Sequence, residues 1–566
     1  MTPLNMSLGP LVGLDTGSAF AYLGIPYARP PIGALRFAPS ELWQDEWREP
    51  RDASTFGAPC HQTAGFWDED PGEHPQSSPF VPRPSEDCLF VNIWQPKDAS
   101  KAAQLPVIVW IHGGGFCGGS ASVKWYDGQH LAANSGAIVV SLNYRLGPLG
   151  FLATPELKKR YGTSGGMNGI RDQVTALKWV QKHISAFGGD PSRVTLTGES
   201  SGGISVCILN TAPAARGLFH RAVVQSGPCI VPSSGWGPHT PQYGYEKASR
   251  LMRDLNVSNV DELRQLPPQL LQWDNETLGS DNFAGYFFDD GWLSEWPMAM
   301  YTSGRLNAVG GMIIGHTSKD GTASFYGTAP LANATPAEWR AAMQRRWGAM
   351  APEVMQQYSL ARFSGANASK APAVSQSYIE ADADNRVVCP LHTMARLAVK
   401  ATPVYTYVFA HCQLICDAGF EMGVLPSSNR SALAGCGWAS HGSENKFLFM
   451  TTHGCDSLAN PPFPRQDCPF DAGERQLSAH MGGRWADFAK GDAPWWPFVE
   501  REAALPDAVG VEARNGHAES ARRRVRNHAT PPHTSTARFE VGIPWAPAVD
   551  FKRDDCAFWD RAAKRP

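Results

Sequence analysis

Missing from this chain of 566 residues is any apolar run near the roughly 18 residues that span a bilayer, so no membrane span is predicted and the protein is expected to be soluble. The C-terminus carries neither a hydrophobic tail nor a retention signal. Strong charge of either sign is missing too: the formal net charge is -3, which gives no electrostatic reason to expect nucleic acid or an anionic membrane as partner. The one basic run, Arg522 to Arg526, is short and set among Pro, His, Thr and Ser, the composition of a solvated loop. Neither internal repeats nor coiled-coil heptads occur, which removes solenoids and long rods. Met1 to Gly9 lack the basic and then apolar pattern of a secretory signal, and read as the start of a mature-form or N-terminally incomplete sequence.

Cysteine is not scarce. Twelve are present, and Asn5, Asn256, Asn275, Asn333, Asn367 and Asn429 each begin a glycosylation sequon. Both features point to secretion or the secretory pathway. With 43% hydrophobic and 18% charged residues, the chain can bury a large core.

Continuous apolar runs, the pattern of strands buried on both faces of a parallel sheet, fall at Val107 to Ile111, Ile138 to Leu142 and Val194 to Leu196. More follow at Ala222 to Val224, Met312 to Ile314 and Val404 to Phe409. Between the second and third, Asp172 to Ile184 sets Val174, Leu177, Val180 and Ile184 on one helical face, with Lys178 and Lys182 elsewhere. Strand, helix and strand in alternation predict an α/β fold with a mostly parallel sheet flanked by helices and functional groups at the carboxyl ends of its strands. Cys412 to Cys468, rich in Cys, Gly and Pro, and the polar Glu500 to Pro544 are read as surface-loop insertions. The whole chain, 1–566, is expected to be a single catalytic domain.

Gly198-Glu199-Ser200-Ser201-Gly202 follows a predicted strand and precedes the helix-compatible Ile204 to Leu209. A bare G-x-S-x-G is weak in a chain with 55 glycines, and could be a plain turn. Between strand and helix it becomes specific, because the tight turn exposes the serine at a helix amino end and only small neighbours avoid collision. His112-Gly113-Gly114-Gly115-Phe116 directly follows another strand, and consecutive glycines let backbone N–H groups approach a substrate oxygen. A flexible loop is its bland alternative, and the Lys-Ser/Thr ending of a phosphate loop is missing. Of sixteen histidines, His441 comes late in the chain within Gly437 to Glu444, which suits the order serine, acid, histidine. Asp320, in Ser318-Lys319-Asp320-Gly321, lies between them just past the Met312 to Ile314 strand, although an exposed turn Asp before Gly is common.

On these and further segments the chain resembles the type-B carboxylesterases, the group that includes cholinesterases, bile-salt-activated lipases, fungal lipases and the non-catalytic neuroligins. The likeness runs from about Gly9 to Asp560. It includes Gly24 to Ala28, Leu35-Arg36-Phe37, Ser85 to Leu89, Asn143-Tyr144-Arg145, Phe187 to Pro191, Gln225-Ser226-Gly227, His441 to Glu444 and Trp485 to Ala489.

The resemblance implies an α/β-hydrolase fold and a serine carboxylesterase working through an acyl-enzyme, on a small-molecule or lipid ester, with no metal or other cofactor. A triacylglycerol or acylglycerol lipase and a neuroligin-like adhesion module are the alternatives. It implies a triad of Ser200, Asp320 and His441, an oxyanion hole of Gly114, Gly115 and Ser201, and support from Glu199 and Ser226. It also implies disulfides joining Cys60 to Cys88 and Cys389 to Cys556. Cys412, Cys416, Cys436, Cys455 and Cys468 do not match zinc-ribbon spacing and are read as further disulfides. Cys117, Cys207 and Cys229, in apolar or glycine-rich strings, are read as buried thiols outside any disulfide.

Two departures stand out. The family usually has Glu where Asp320 stands. The loop from Cys60 to Cys88 has Trp67 and Phe80 but no Trp ten residues before its second Cys, which argues against acetylcholine as substrate.

Overall fold

The computed structural model describes residues 3–62, 83–100, 102–230, 239–273, 292–293, 295–321, 334–364, 373–411, 439–451, 470–492, 535–539, 547–549 and 552–562. Outside these lie Trp67, Phe80, Asn275, Asn333, Asn367, Asn429, the basic run Arg522 to Arg526, and Cys412, Cys416, Cys436, Cys455 and Cys468.

Fourteen strands occur among the described residues: β1 Leu4–Met6, β2 Gly9–Val12, β3 Leu14–Asp15, β4 Ala19–Pro26, β5 Arg51–Asp52, β6 Phe90–Pro96, β7 Leu105–Ile111, β8 Ile138–Leu142, β9 Gly189–Glu199, β10 Arg221–Gln225, β11 Met312–Thr317, β12 Val404–Phe409, β13 Ser535–Phe539 and β14 Pro547–Val549. β1, β2 and β5 make a small separate sheet. The other eleven form one sheet in the order β14, β13, β12, β11, β10, β9, β7, β8, β6, β4, β3. From β8 across to β13 every pairing is parallel, while the pairs toward both edges are antiparallel. The predicted apolar runs are its central strands. β13, however, falls inside the stretch read as a polar insertion, and its pairing with β12 extends the parallel register.

Alternate strand residues feed opposite faces, as the two-residue period requires. Val107, Val109, Ile111, Ala222, Val224, Met312 and Ile314 join one apolar core. Trp110, Val223, Ile313, Tyr405 and Tyr407 join the other. Burial on both faces explains why these strands read as unbroken apolar runs. The helix Asn168–His183 covers the first face, burying Val174, Leu177 and Val180 while Lys178 and Lys182 stay exposed. The helix Ala472–Lys490 covers the second, contributing Leu477, Met481, Trp485 and Phe488.

Cys60–Cys88 and Cys389–Cys556 are disulfides, as the resemblance implied. The reading of Cys207 and Cys229 is corrected: the two are joined. Cys207 lies on the helix Ser201–Leu209, and Cys229 follows the turn after β10, which packs against that helix. Two thiols in separate apolar strings met here because the sheet brings those strings into contact. Cys117 is buried, with its Sγ 3.5 Å from the Gly114 carbonyl. No helix among the described residues is long and apolar enough to cross a membrane.

Candidate active site

Register places the site. Gln225 is level with Glu199 on one side and with Gly315 on the other, and Gly198 is level with Ile111. Four chain segments therefore leave the parallel sheet side by side at the carboxyl ends of its strands: the glycine loop after Ile111, Ser200 after Glu199, Ser226 after Gln225, and the turn after Thr317.

Ser200 sits between β9 and the helix Ser201–Leu209 with φ 56° and ψ −124°, a region costly for a residue with a side chain. Its N–H donates to the Gln225 carbonyl at 3.0 Å, which fixes the turn. Flanking glycines make the turn possible, since a Cβ on Gly202 would lie 2.1 Å from the Ile111 carbonyl oxygen and one on Gly198 2.5 Å from that of Gly202. Ser200 is half-buried at a helix amino end, where the dipole favours developing negative charge.

The glycine loop turns at Gly114, φ +112°, and Gly115, φ +62°. A Cβ on Gly114 would stand 2.1 Å from the Gly118 carbonyl, and one on Gly113 would stand 3.0 Å from the Ser200 Cβ, so the loop borders the serine. Behind it His112 stacks on Tyr144 at 4.5 Å, and the Tyr144 hydroxyl donates to the His112 carbonyl at 3.0 Å. Asn143-Tyr144-Arg145 was visible as a motif, but its role in bracing this loop was not.

His441 and Asp320 meet, with His441 Nδ1 hydrogen-bonded to Asp320 Oδ1. The backbone does the joining: Lys319 forms a parallel bridge with Ser440, and its N–H donates to Ala439 at 3.0 Å. Each pairing partner lies one residue before its functional neighbour, which is how the shorter Asp reaches the imidazole. Asp320 Oδ2 accepts from Ser226 Oγ at 2.7 Å and from the Thr317 N–H at 2.9 Å. With Nδ1–H donating to the carboxylate, Nε2 is the lone-pair nitrogen of the neutral imidazole and a second donor in the imidazolium. Glu199 Oε1 lies 3.2 Å from that nitrogen.

Burial pushes the Asp320 carboxyl up, but the His441 charge and hydrogen bond, His316 and the Ser226 hydroxyl outweigh it and leave it lowered. Burial lowers His441, yet Glu199, Asp320 and Glu444 together push it up to about 9. Burial raises Glu199, partly opposed by His441. Burial, then Glu199 and Asp320, push Glu444 up to about 8; it accepts from the Tyr407 hydroxyl at 3.3 Å. Its three-residue spacing from His441 is the signal that a turn folds it back toward the imidazole.

A serine in a strained elbow, a strong buried base oriented by a carboxylate, and glycine N–H groups bordering the serine can together carry nucleophilic acyl transfer. Known proteins agree. Para-nitrobenzyl esterase of Bacillus subtilis (strain 168) is 45% identical over 222 residues, which are 39% of this chain and 42% of that protein. That match spans about two fifths of the relative's length. Cocaine esterase of Homo sapiens is 30% identical over 529 residues, 88% of this chain and 86% of that protein. A solved structure described as a thermophylic PNB esterase superposes with TM-score 0.72 at 26% identity, covering 98% of this chain and 99% of that one. The model of the carboxylesterase family matches residues 2–509, and the chain belongs to that family, with its α/β-hydrolase fold.

Proposed function

We propose that this chain hydrolyses carboxylic esters through an acyl-enzyme on Ser200. The observation that carries the reading is the hydrogen bond between His441 and Asp320 at the carboxyl end of the strands, where the Ser200 elbow leaves the sheet. His441 Nε2 takes the Ser200 proton as Oγ attacks the ester carbonyl, and Asp320 holds the productive tautomer and the imidazolium that forms. The N–H groups of Gly114, Gly115 and Ser201 receive the oxyanion, an arrangement in which one donor is typically worth about 3 to 4 kcal/mol. His441 then protonates the leaving alcohol, and water repeats the cycle. Glu199 and Ser226 support base and acid respectively.

Retention of Ser200 in the elbow and of His441 bonded to Asp320 supports an enzyme over an adhesion module. The substrate class is a small-molecule ester, in keeping with relatives named for para-nitrobenzyl and cocaine esters. Three disulfides and the mammalian relatives support maturation in an oxidising, secretory compartment. The deciding test is intact mass after fluorophosphonate treatment, with turnover of a graded series of nitrophenyl esters. One adduct, absent in Ser200→Ala together with turnover, is expected; label on Ser201 instead would overturn the assignment.

A further inference from the structure

Lys319 has two attachments, of which only the backbone one enters the catalytic reading. Its backbone holds the segment entering His441 and its neighbour is Asp320. Its ammonium group forms an ion pair with Glu380 on the helix Ala373–Ala383. The acid turn lies directly on this helix: a Cβ on Gly321 would stand 2.1 Å from the Ile379 carbonyl and 2.9 Å from the Ala383 nitrogen.

The other oxygen of Glu380 pairs with Lys552, which also reaches Asp384 Oδ2 at 2.9 Å. Asp384 accepts from the Tyr358 hydroxyl at 2.8 Å, and that hydroxyl accepts from Trp559 Nε1 at 2.9 Å. Lys552 is the residue before the helix Arg553–Ala562, which the Cys389–Cys556 disulfide also ties down. A continuous chain of charges thus runs from the C-terminal helix to the residue beside Asp320. Its side chains are nearly buried, at 15% for Lys319, 9% for Glu380, 12% for Lys552 and 0% for Asp384. Despite burial, the two ammonium groups hold the Glu380 carboxyl well below its usual range. Desolvating so many charges returns little net stability, so stability alone is a poor account of the cluster. What a fixed carboxylate between two ammonium groups supplies is a fixed distance.

We propose that Lys319, Glu380 and Lys552 act as positioning residues for Asp320, so that the C-terminal helix forms part of the frame that sets the acid against His441. The inference rests on the triad reading above. None of the three touches substrate; each acts through the acid turn.

The test uses the full chain and steady-state hydrolysis of a nitrophenyl ester, with the melting temperature measured for each variant. Lys319→Met and Lys552→Met should each lower kcat about tenfold to hundredfold, as small misplacements of catalytic groups do, with KM within about twofold of wild type. Because both act through Glu380, the double variant should be little worse than either single one. Lys552→Arg should recover most of the loss. Arg362→Met breaks a pair with Asp555 on the same C-terminal helix and should lower the melting temperature while leaving kcat unchanged. Should either methionine variant not fold, Glu380→Gln carries the test, since it keeps the shape and removes the charge. Wild-type kcat in folded Lys319→Met, Lys552→Met or Glu380→Gln, multiplying losses in the double variant, or kcat losses that follow melting temperature through Arg362→Met would overturn the proposal. Ser200→Ala in the same assay separates the two readings: turnover surviving there removes the triad itself.

Discussion

Ser226 Oγ donates to Asp320 Oδ2 at 2.7 Å, while the opposite carboxylate oxygen faces His441 Nδ1. Asp320 is thereby held from both sides. If it orients the imidazole, Asp320→Asn should fold normally and lose about 10⁴ in kcat. Ser226→Ala removes one bond to a charged acceptor, typically about 1.5 to 3 kcal/mol, and should cost roughly tenfold to hundredfold. Asp320→Glu should also lose activity, because Ser226 and the Thr317 N–H fix the carboxylate at the Asp length. Initial rates on one nitrophenyl ester decide all three, and near wild-type turnover in Asp320→Asn would assign the role to another carboxylate.

The charge around His441 predicts a pH profile. The base must be neutral to accept the serine proton, and its carboxylate neighbours push it up to about 9. kcat/KM should therefore still be rising above pH 8, where an ordinary imidazole would long have lost its proton. Glu444→Gln removes one of those negative charges and should move the rising limb toward lower pH. For stability the sign runs the same way for any group whose folded value is raised: the contribution from charged His441 is complete below pH 6.5 and is lost as pH rises through about 9. A kcat/KM profile flat above pH 7 would contradict this.

Gly114 combines φ +112° with a Cβ position 2.1 Å from the Gly118 carbonyl. Gly114→Ala should therefore twist the loop away from Ser200 and cost about 10² to 10³ in kcat, the scale of losing one oxyanion donor. Circular dichroism should stay native. Wild-type turnover would take Gly114 out of the hole.

Non-reducing peptide mapping should recover Cys60–Cys88, Cys207–Cys229 and Cys389–Cys556 from material made in an oxidising compartment. Cys207 and Cys229 close a loop with a sequence separation of 22, for which chain-entropy models give roughly 3 kcal/mol. Replacing both by Ala should lower the denaturation midpoint without changing the remaining two pairings. Finding both thiols alkylatable in native secreted protein would refute the bond.

Local pattern carried much of this structure. β8 and β12 coincide with their predicted runs, because both are buried along their whole length and so stay apolar apart from Ser141 and Thr406. Ser200, Asp320 and His441 were singled out from motif and chain order, and Asp320, preferred although its family position usually holds Glu, is the carboxylate bonded to His441. What the chain alone could not show was contact between distant segments. Cys207 and Cys229 looked like core thiols because apolar burial and disulfide bonding leave the same local signature. The buried partner of Lys319 was equally invisible, since Glu380 lies 61 residues further along the chain. β13 was hidden for the opposite reason: Ser535 to Phe539 is short and polar, and its place in the sheet depends on β12 as a template.

Glu199, Gln225 and Gly315 are level across three adjacent strands; the segments bearing Ser200 and Ser226 leave the sheet at that height, and the Asp320 segment leaves two residues further on, after Thr317. A single residue added or removed inside β9, β10 or β11 would shift one segment by about 3.3 Å and turn its side chains to the other face. Length change beyond the turns, after Cys229, after Gly321 or before Ala439, moves none of them. Related chains should therefore vary in length at those three places and hold β9, β10 and β11 to a constant count, so that the distance from serine to acid is inherited unchanged.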